Sequence, residues 1–86
     1  MFGYETKRAE KIRKYRELFN SDSGKEILHD LAKSCHVYAS TFDQNPQEMA
    51  YREGERSVVL RILRTINIDP LELDKLMRGQ SNKEQL

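Results

Sequence analysis

The 86-residue chain has one cysteine, no tryptophan, two prolines and no long apolar run. The single cysteine, Cys35, excludes an internal disulfide and is typical of a protein in a reducing compartment. No stretch approaches the roughly 18 apolar residues that a membrane-spanning helix requires. The basic first residues are followed by no apolar segment, so they do not form a secretory signal. We therefore expect an intracellular protein that does not enter a membrane.

Charged residues make up 34% of the chain and apolar residues only 37%. The net charge of +1 is unevenly distributed. Residues 1–19 contain six Lys or Arg and three Glu, residues 20–55 contain three basic and seven acidic residues, and residues 56–86 contain six basic and four acidic residues. This pattern argues against DNA binding by the whole surface but leaves one basic face open. The low apolar content limits a monomer's core and favours a homo-oligomer or a larger assembly.

The longest predicted helix spans residues 46–66. Asn45 supplies a side-chain cap, Pro46 suits the first helical turn, and Glu48 stands where a capping box is completed. The small Gly54 predicts a point where another helix crosses closely. Apolar or small residues recur on one face of this helix, which we expect to be buried: Ala50, Tyr51, Gly54, Val58, Val59, Ile62, Leu63 and Ile66.

Three further helices are predicted at residues 5–19, 23–36 and 70–78 from apolar periodicity and terminal signals. Either Ser23 or Asp22 supplies the N-cap of the second helix. An Asp-Pro pair begins the last helix and a glycine ends it. The fold class is therefore all-α, a small bundle of about four helices around a long central third helix.

One helical domain, residues 1–79, accounts for nearly the whole chain. Residues 1–4 are either part of its core or an arm that docks on another molecule. Residues 80–86 are polar and predict a flexible tail. In the loop of residues 37–45, Phe42 is expected to seal the edge of the core.

The first helix carries a basic cluster whose composition is typical of a surface for phosphates or an acidic partner. The alternative is a solvated face supported by pairs such as Glu10 with Lys14. A second basic strip on the long helix contains Arg56, Arg61 and Arg64, but the sequence does not show whether the two strips meet. The candidate contact residues of the first helix are Lys7, Arg8, Lys11, Lys14 and Arg16.

No residue pattern indicates a catalytic, cofactor or metal site. His29, Cys35 and His36 resemble a metal set, but structural zinc normally requires four ligands. Cys35 and His36 are adjacent and would point about 100° apart on a helix, which separates a nucleophile from its base. The acidic residues of the long helix have basic neighbours, as Glu48 has Arg52, and favour solvent-facing ion pairs. We therefore predict a non-enzymatic protein without a cofactor.

Three segments carry a further pattern: SGKEILHDL, CHVYASTF and YREGERSVVLRIL. Residues 13–63, which contain these segments, resemble a family of small tailed-bacteriophage proteins first catalogued from a Bordetella phage. The resemblance implies a phage origin, a helical fold and a role in virion assembly or structure, and it assigns no catalytic residue. A pair of Asp30 or Glu53 with Arg56, locking the second helix onto the third, would explain part of the pattern. The motif residues are Asp30, Phe42, Glu53, Gly54 and Arg56.

Three functional hypotheses follow. The leading one is a non-enzymatic phage protein that docks on other proteins as a virion structural or assembly component, located in the host cytoplasm or the virion. The second is a small nucleic-acid-binding protein that uses the basic first helix. The third is a phage inhibitor that binds a host enzyme or defence complex. The sequence does not distinguish between the two protein-binding hypotheses, the first and the third.

Overall fold

The computed structural model describes the backbone of residues 2–85 and the side chains of residues 7–79. This part of the chain forms four α-helices and no strand: α1 (Phe2–Phe19), α2 (Asp22–Ser34), α3 (Pro46–Thr65) and α4 (Pro70–Gln85). The predicted all-α fold of four helices is confirmed. No helix among the described residues is long and apolar enough to cross a membrane. The side chains of the suggested arm, residues 1–4, lie outside the described residues.

Side-chain caps begin three of the helices, as expected for N-terminal N–H groups that lack a partner within the helix. Asn45 Oδ1 and Asp69 Oδ1 each accept a hydrogen bond at 2.9 Å from the N–H two residues on. Both helix starts agree with the prediction. The cap of α2 is Ser21, whose Oγ accepts a hydrogen bond at 3.0 Å from the N–H three residues on. The prediction of Ser23 or Asp22 at this position is wrong by one or two residues.

The buried core is small and is centred on α2, which contacts each of the other three helices, and not on α3, the predicted central helix. The longest helix, α3, adds Val59 and Leu63 and carries Ile66 at its C-cap. The half-buried rings of Tyr15 and Phe19 attach α1 to this core. The buried core residues are Leu28, Ala32, Val37, Val59, Leu63, Ile66 and Leu73.

The arrangement of the helices is flat. The Cα atoms extend over 48 × 43 × 15 Å, so the smallest extent is only about a third of the other two. The radius of gyration is 15.5 Å, compared with about 12 Å for a compact domain of this length. A thin molecule of this kind has much of its helical surface outside the core.

The predicted buried face of α3 is right from Val59 onward and wrong for the residues before it. An added Cβ at Gly54 would meet nothing within 4 Å, so no helix of the described chain crosses there. The close approach occurs at Gly24, where an added Cβ would lie 2.7 Å from the Cα of Phe19. Apolar periodicity marks a face, but the position of the neighbouring helices decides how much of it is covered. Four residues of the predicted face are exposed: Ala50, Tyr51, Gly54 and Val58.

The loop between α2 and α3 is held by polar contacts and by Tyr38, and not by the predicted aromatic anchor. Phe42 is 71% exposed, so the prediction that it seals the core is wrong. Tyr38 packs against the core instead. Arg52 fixes the far end of the loop, since its guanidinium lies 3.3 Å from Asp43 Oδ2 and donates to the carbonyl oxygen of Phe42 at 3.3 Å.

Three helix bounds differ from the prediction by two or more residues. α1 begins at Phe2 and not at residue 5, so the backbone of residues 2–4 belongs to this helix. α2 ends at Ser34, and His36 follows with a left-handed backbone (φ 62°) that terminates the helix locally. α4 passes through Gly79 and ends at Gln85, so the predicted end at residue 78 is too early. A glycine inside a helix costs roughly 1 kcal/mol relative to alanine, which the neighbouring helical turns can outweigh. The suggested tail of residues 80–86 therefore begins as helix.

Candidate functional site

A cleft of about 640 Å³ lies between α1 and the C-terminal end of α3. Five of the side chains that line it are basic, and we call it the basic cleft. Its other lining residues are Ile12, Tyr15, Thr65 and Asn67. The basic residues are Arg8, Lys11 and Arg16 from α1 and Arg61 and Arg64 from α3.

Helical periodicity brings the basic residues of each wall to one face. On α1, Arg8, Lys11 and the half-buried Tyr15 follow one another at spacings of three and four. On α3, Arg61 and Arg64 have the spacing of three that places them on adjacent turns. The carbonyl ends at the C-terminus of α3 carry partial negative charge and favour cations there. Local structure therefore orients each wall, and helix packing brings the walls together.

The basic cleft has no acidic residue among its described lining. None of its five basic residues forms an ion pair with any of residues 7–79. Other arginines of the same helices are paired, as Arg13 is with Glu17 at 2.8 Å and Arg56 is with Glu53 at 3.8 Å. Positive charge is thus concentrated in the cleft although the net charge of the chain is only +1. Such a concentration attracts an anionic ligand.

The structure divides the five contact residues predicted on the first helix. Arg8, Lys11 and Arg16 line the basic cleft. Lys14 lines a neighbouring apolar groove, and Lys7 is exposed and lines neither. The predicted basic surface is therefore not one continuous face of α1.

In the sequence, Arg61 and Arg64 belong to a second basic strip, and nothing in the sequence shows that this strip meets α1. Their spacing of three was a signal that they share a face, but the direction of that face depends on how α1 packs. Arg56, the third member of the predicted strip, is not part of the cleft. It lies on another side of α3, where its guanidinium is near Glu53.

An apolar groove of about 310 Å³ adjoins the basic cleft where the C-terminal end of α1 meets α3. Tyr15 lines both the groove and the cleft. Its ring centroid is 6.1 Å from that of Phe19, within the separation of interacting aromatic pairs, and the two ring planes are 39° apart. Leu18 contributes an exposed side chain to this groove. The groove residues are Lys14, Tyr15, Leu18, Phe19 and Ile62.

The five motif residues of the sequence pattern do not form one site. Asp30 lies exposed on α2, and no ion pair connects it with Arg56 among the described residues. Glu53 pairs with Arg56 within α3 and accepts a hydrogen bond from the Thr41 hydroxyl. The proposed lock between the second and third helices is therefore wrong. Glu53 connects α3 to the loop before it, while Phe42 and Gly54 are exposed.

His29 of α2 and Tyr38 of the following loop form a polar pair that was not predicted from the sequence. The Tyr38 hydroxyl lies 3.0 Å from Nδ1 of His29, and the two rings are 5.4 Å apart. Burial lowers the pKa of His29, and nearby Lys33 lowers it further, against the opposing effect of Asp74. Burial also raises the pKa of Tyr38 to about 12. Both groups are therefore held in their neutral forms near pH 7.

The cysteine and histidines considered as metal or catalytic residues are not gathered into a site in residues 7–79. No group of three His, Cys, Asp or Glu side chains in this range is arranged to hold a metal ion. Burial raises the pKa of Cys35, which keeps its thiol protonated, and the Glu55 carboxylate acts in the same direction. A protonated thiol is a poor nucleophile.

Comparison with known proteins supplies the family. The sequence profile of the Bbp19-like phage proteins matches residues 15–78, which is most of the chain. The chain belongs to the Bbp19-like phage protein family. The match extends beyond the resemblance seen in residues 13–63 and includes α4 as far as Arg78. No curated protein and no solved structure matches this Bbp19-like protein.

The family match covers one part of the basic cleft and not the other. Tyr15, Arg16, Arg61 and Arg64 lie within the matched range of the Bbp19-like chain. Arg8 and Lys11 precede it. The α3 wall and the aromatic residue of the cleft therefore belong to the segment that defines the family.

Proposed function

We propose that this Bbp19-like phage protein binds nucleic acid through the basic cleft and catalyses no reaction. The observation that supports the proposal is the convergence of five basic side chains from two helices on a cleft without a described acidic lining residue. Nucleic acid is the linear polyanion whose phosphates match such a site. The proposal selects the nucleic-acid hypothesis over the docking hypothesis for this surface.

The clustering of like charges gives the proposal its physical basis. Five cations in one cleft repel one another, and no acidic side chain of residues 7–79 lines the cleft or pairs with them to relieve this repulsion. Phosphates bound in the cleft would attract the five cations and offset their mutual repulsion. Binding would also release the counterions condensed on the nucleic acid. Binding should therefore weaken strongly as salt is added.

The first experiment measures the affinity for a fluorescent oligonucleotide over a series of salt concentrations. If all five basic residues contact phosphates, the logarithm of the binding constant should fall by about 3.5 to 4.5 units per log unit of salt. The double variant Arg61→Gln and Arg64→Gln should reduce this slope by about two units. Arg13→Gln, which removes a basic residue paired with Glu17 on α1, is the matched control and should leave the slope unchanged.

A second pair of variants separates the cleft from a generally basic first helix. Lys11 lines the basic cleft and Lys14 does not, although both are exposed on α1. Lys11→Gln should lower the slope by about one unit, whereas Lys14→Gln should not. Equal effects would assign binding to the whole helix surface. Absence of binding at low salt, or equal binding of polyglutamate, would overturn the proposal of nucleic-acid binding.

The second candidate function is docking on another protein, either a virion component, an assembly protein or a host protein inhibited by the phage. The specific observation that favours it is exposed apolar side chains on a flat molecule. Leu18 is 63% exposed beside the apolar groove, and Tyr51 and Val58 are exposed on α3. Exposed apolar patches are characteristic of protein-binding surfaces.

The docking candidate is tested by quantitative mass spectrometry of purified virions. A fixed copy number that is a multiple of the particle's symmetry would make the protein a structural component of the virion. Absence from the particle would direct the search to the infected cell, where a pull-down with the Leu18→Lys variant as control would test binding to a host protein. Sedimentation of the purified protein tests the expected homo-oligomer directly.

A further inference from the structure

We propose that the basic cleft takes a single strand of nucleic acid, with an unpaired base against Tyr15, and discriminates against a duplex. This inference rests on the nucleic-acid binding proposed above and specifies the form of the ligand. It is drawn from the shape of the cleft and from the position of the tyrosine in it.

The shape of the cleft favours a single strand. Proteins that read duplex DNA insert a helix or a strand pair into a groove about 12 Å wide, so their contact residues project from a convex element. Here the basic residues line a concave space whose walls are α1 and α3, and the two helices pack on each other. The cleft volume of about 640 Å³ is of the size that holds a ligand of a few ring systems. One strand can enter such a space, whereas a duplex would meet only its rim.

The lining of the cleft has the two components that single-strand sites combine. Basic residues on both walls follow the phosphate backbone, and an aromatic ring offers a stacking surface to a base of any sequence. Tyr15 is half-buried at the boundary of the cleft and the apolar groove, with Ile12 one turn before it. Its packing against Phe19 holds the ring in place before a ligand arrives. Thr65 and Asn67 add polar groups at the α3 wall.

The test compares three probes at one salt concentration, using the full chain. The probes are an oligothymidine of about 15 nucleotides, at the upper end of the size range of such sites, an oligouridine of equal length, and the thymidine strand annealed to its complement. The single strands are expected to bind at least about tenfold more tightly than the duplex, as the stacking of one base predicts. The two single-stranded probes distinguish DNA from RNA as the preferred source of the strand.

Substitutions then assign the stacking surface. Tyr15→Leu should weaken single-strand binding by about 5- to 100-fold while leaving the salt slope unchanged, because it removes no phosphate contact. Tyr15→Phe keeps the ring and should bind like the wild type. Tyr51→Leu, on the exposed first half of α3, is the matched control and should have no effect. If Tyr15→Leu fails to fold, the comparison of probes on the wild type still decides between single strand and duplex.

Each outcome separates this inference from the proposed function. Equal or tighter binding of the duplex, with a salt slope that depends on Arg61 and Arg64, would overturn the single-strand inference and leave nucleic-acid binding in place. Equal effects of Tyr15→Leu and Tyr51→Leu would overturn the role of Tyr15 as the stacking surface. No binding of any probe at low salt would overturn the inference and the proposed function together.

Discussion

The Tyr38 hydroxyl is 3.0 Å from Nδ1 of His29, and this contact attaches the loop after α2 to the side of α2 itself. The pair lies away from the basic cleft and has a structural role. Since burial shifts the pKa of each group toward its neutral form, the stability of the fold should depend on pH at both ends of the range.

At acidic pH the free energy of unfolding should fall as the pH drops through about 6.5. The pKa of His29 is lowered in the folded protein from its ordinary value of 6.5. The unfolded chain therefore binds the proton more readily, and protonation favours unfolding. Urea unfolding at about pH 8 and about pH 5 measures the effect. His29→Gln should show a smaller loss than the wild type, and an equal loss in both proteins would contradict the assignment to His29.

At alkaline pH the free energy of unfolding should also fall, because Tyr38 loses its proton. Its pKa is raised to about 12 in the folded protein from an ordinary value of 10.0, so the unfolded chain loses the proton first. Stability should be complete below pH 10 and should decline as the pH rises from there. Tyr38→Phe should reduce this alkaline decline. If thermal unfolding of the two proteins shows the same alkaline decline, the hydroxyl of Tyr38 is not its source.

Two glycines should respond in opposite directions to alanine. Gly24→Ala would force a methyl group against the backbone of Phe19, at 2.7 Å from its Cα, and should destabilise the fold by about 1–3 kcal/mol. Gly54→Ala meets nothing within 4 Å and should stabilise it by up to about 1 kcal/mol through helix propensity. Denaturant unfolding of both variants gives the comparison. Destabilisation by Gly54→Ala would instead support the predicted close crossing of another helix at Gly54.

Two leucines of α4 separate core packing from helix propensity. Leu73 is fully buried, whereas Leu71 is 59% exposed on the same helix. Leu73→Ala should cost about 2–5 kcal/mol of unfolding free energy, because it removes buried area and leaves a cavity. Leu71→Ala should change it by less than about 0.5 kcal/mol. Similar losses for the two variants would mean that α4 has a second buried face, as it would in an oligomer.

The cap of α3 offers a test of a local interaction. Asn45 Oδ1 accepts hydrogen bonds from the N–H groups of Gln47 at 2.9 Å and Glu48 at 3.3 Å. Asn45→Ala should therefore destabilise the fold by about 1 kcal/mol, and Asn45→Asp should retain most of the stability. Thermal unfolding of both variants measures this. If the Asn45→Ala variant has the same melting temperature as the wild type, water replaces the capping side chain without loss of stability.

The starts of α3 and α4 were predictable because their causes are local. Asn45 and Asp69 each bond to an N–H two residues on, and such a contact requires only the neighbouring backbone. The start of α2 was misplaced by a short distance, because Ser21, Asp22 and Ser23 are all acceptable caps. In the turn between α1 and α2, the Ser21 hydroxyl also donates to the carbonyl oxygen of Leu18 at 2.8 Å, a contact that Asp22 and Ser23 do not make.

The sequence by itself determined four helices, their approximate bounds, the caps of α3 and α4, and a basic face on α1. Only the tertiary structure decided that the first half of α3 is exposed and that Arg61 and Arg64 complete the basic cleft with residues of α1. The reason is the range of the forces involved. Caps and periodicity act between residues a few positions apart, whereas burial and the meeting of like charges depend on how helices distant in sequence pack.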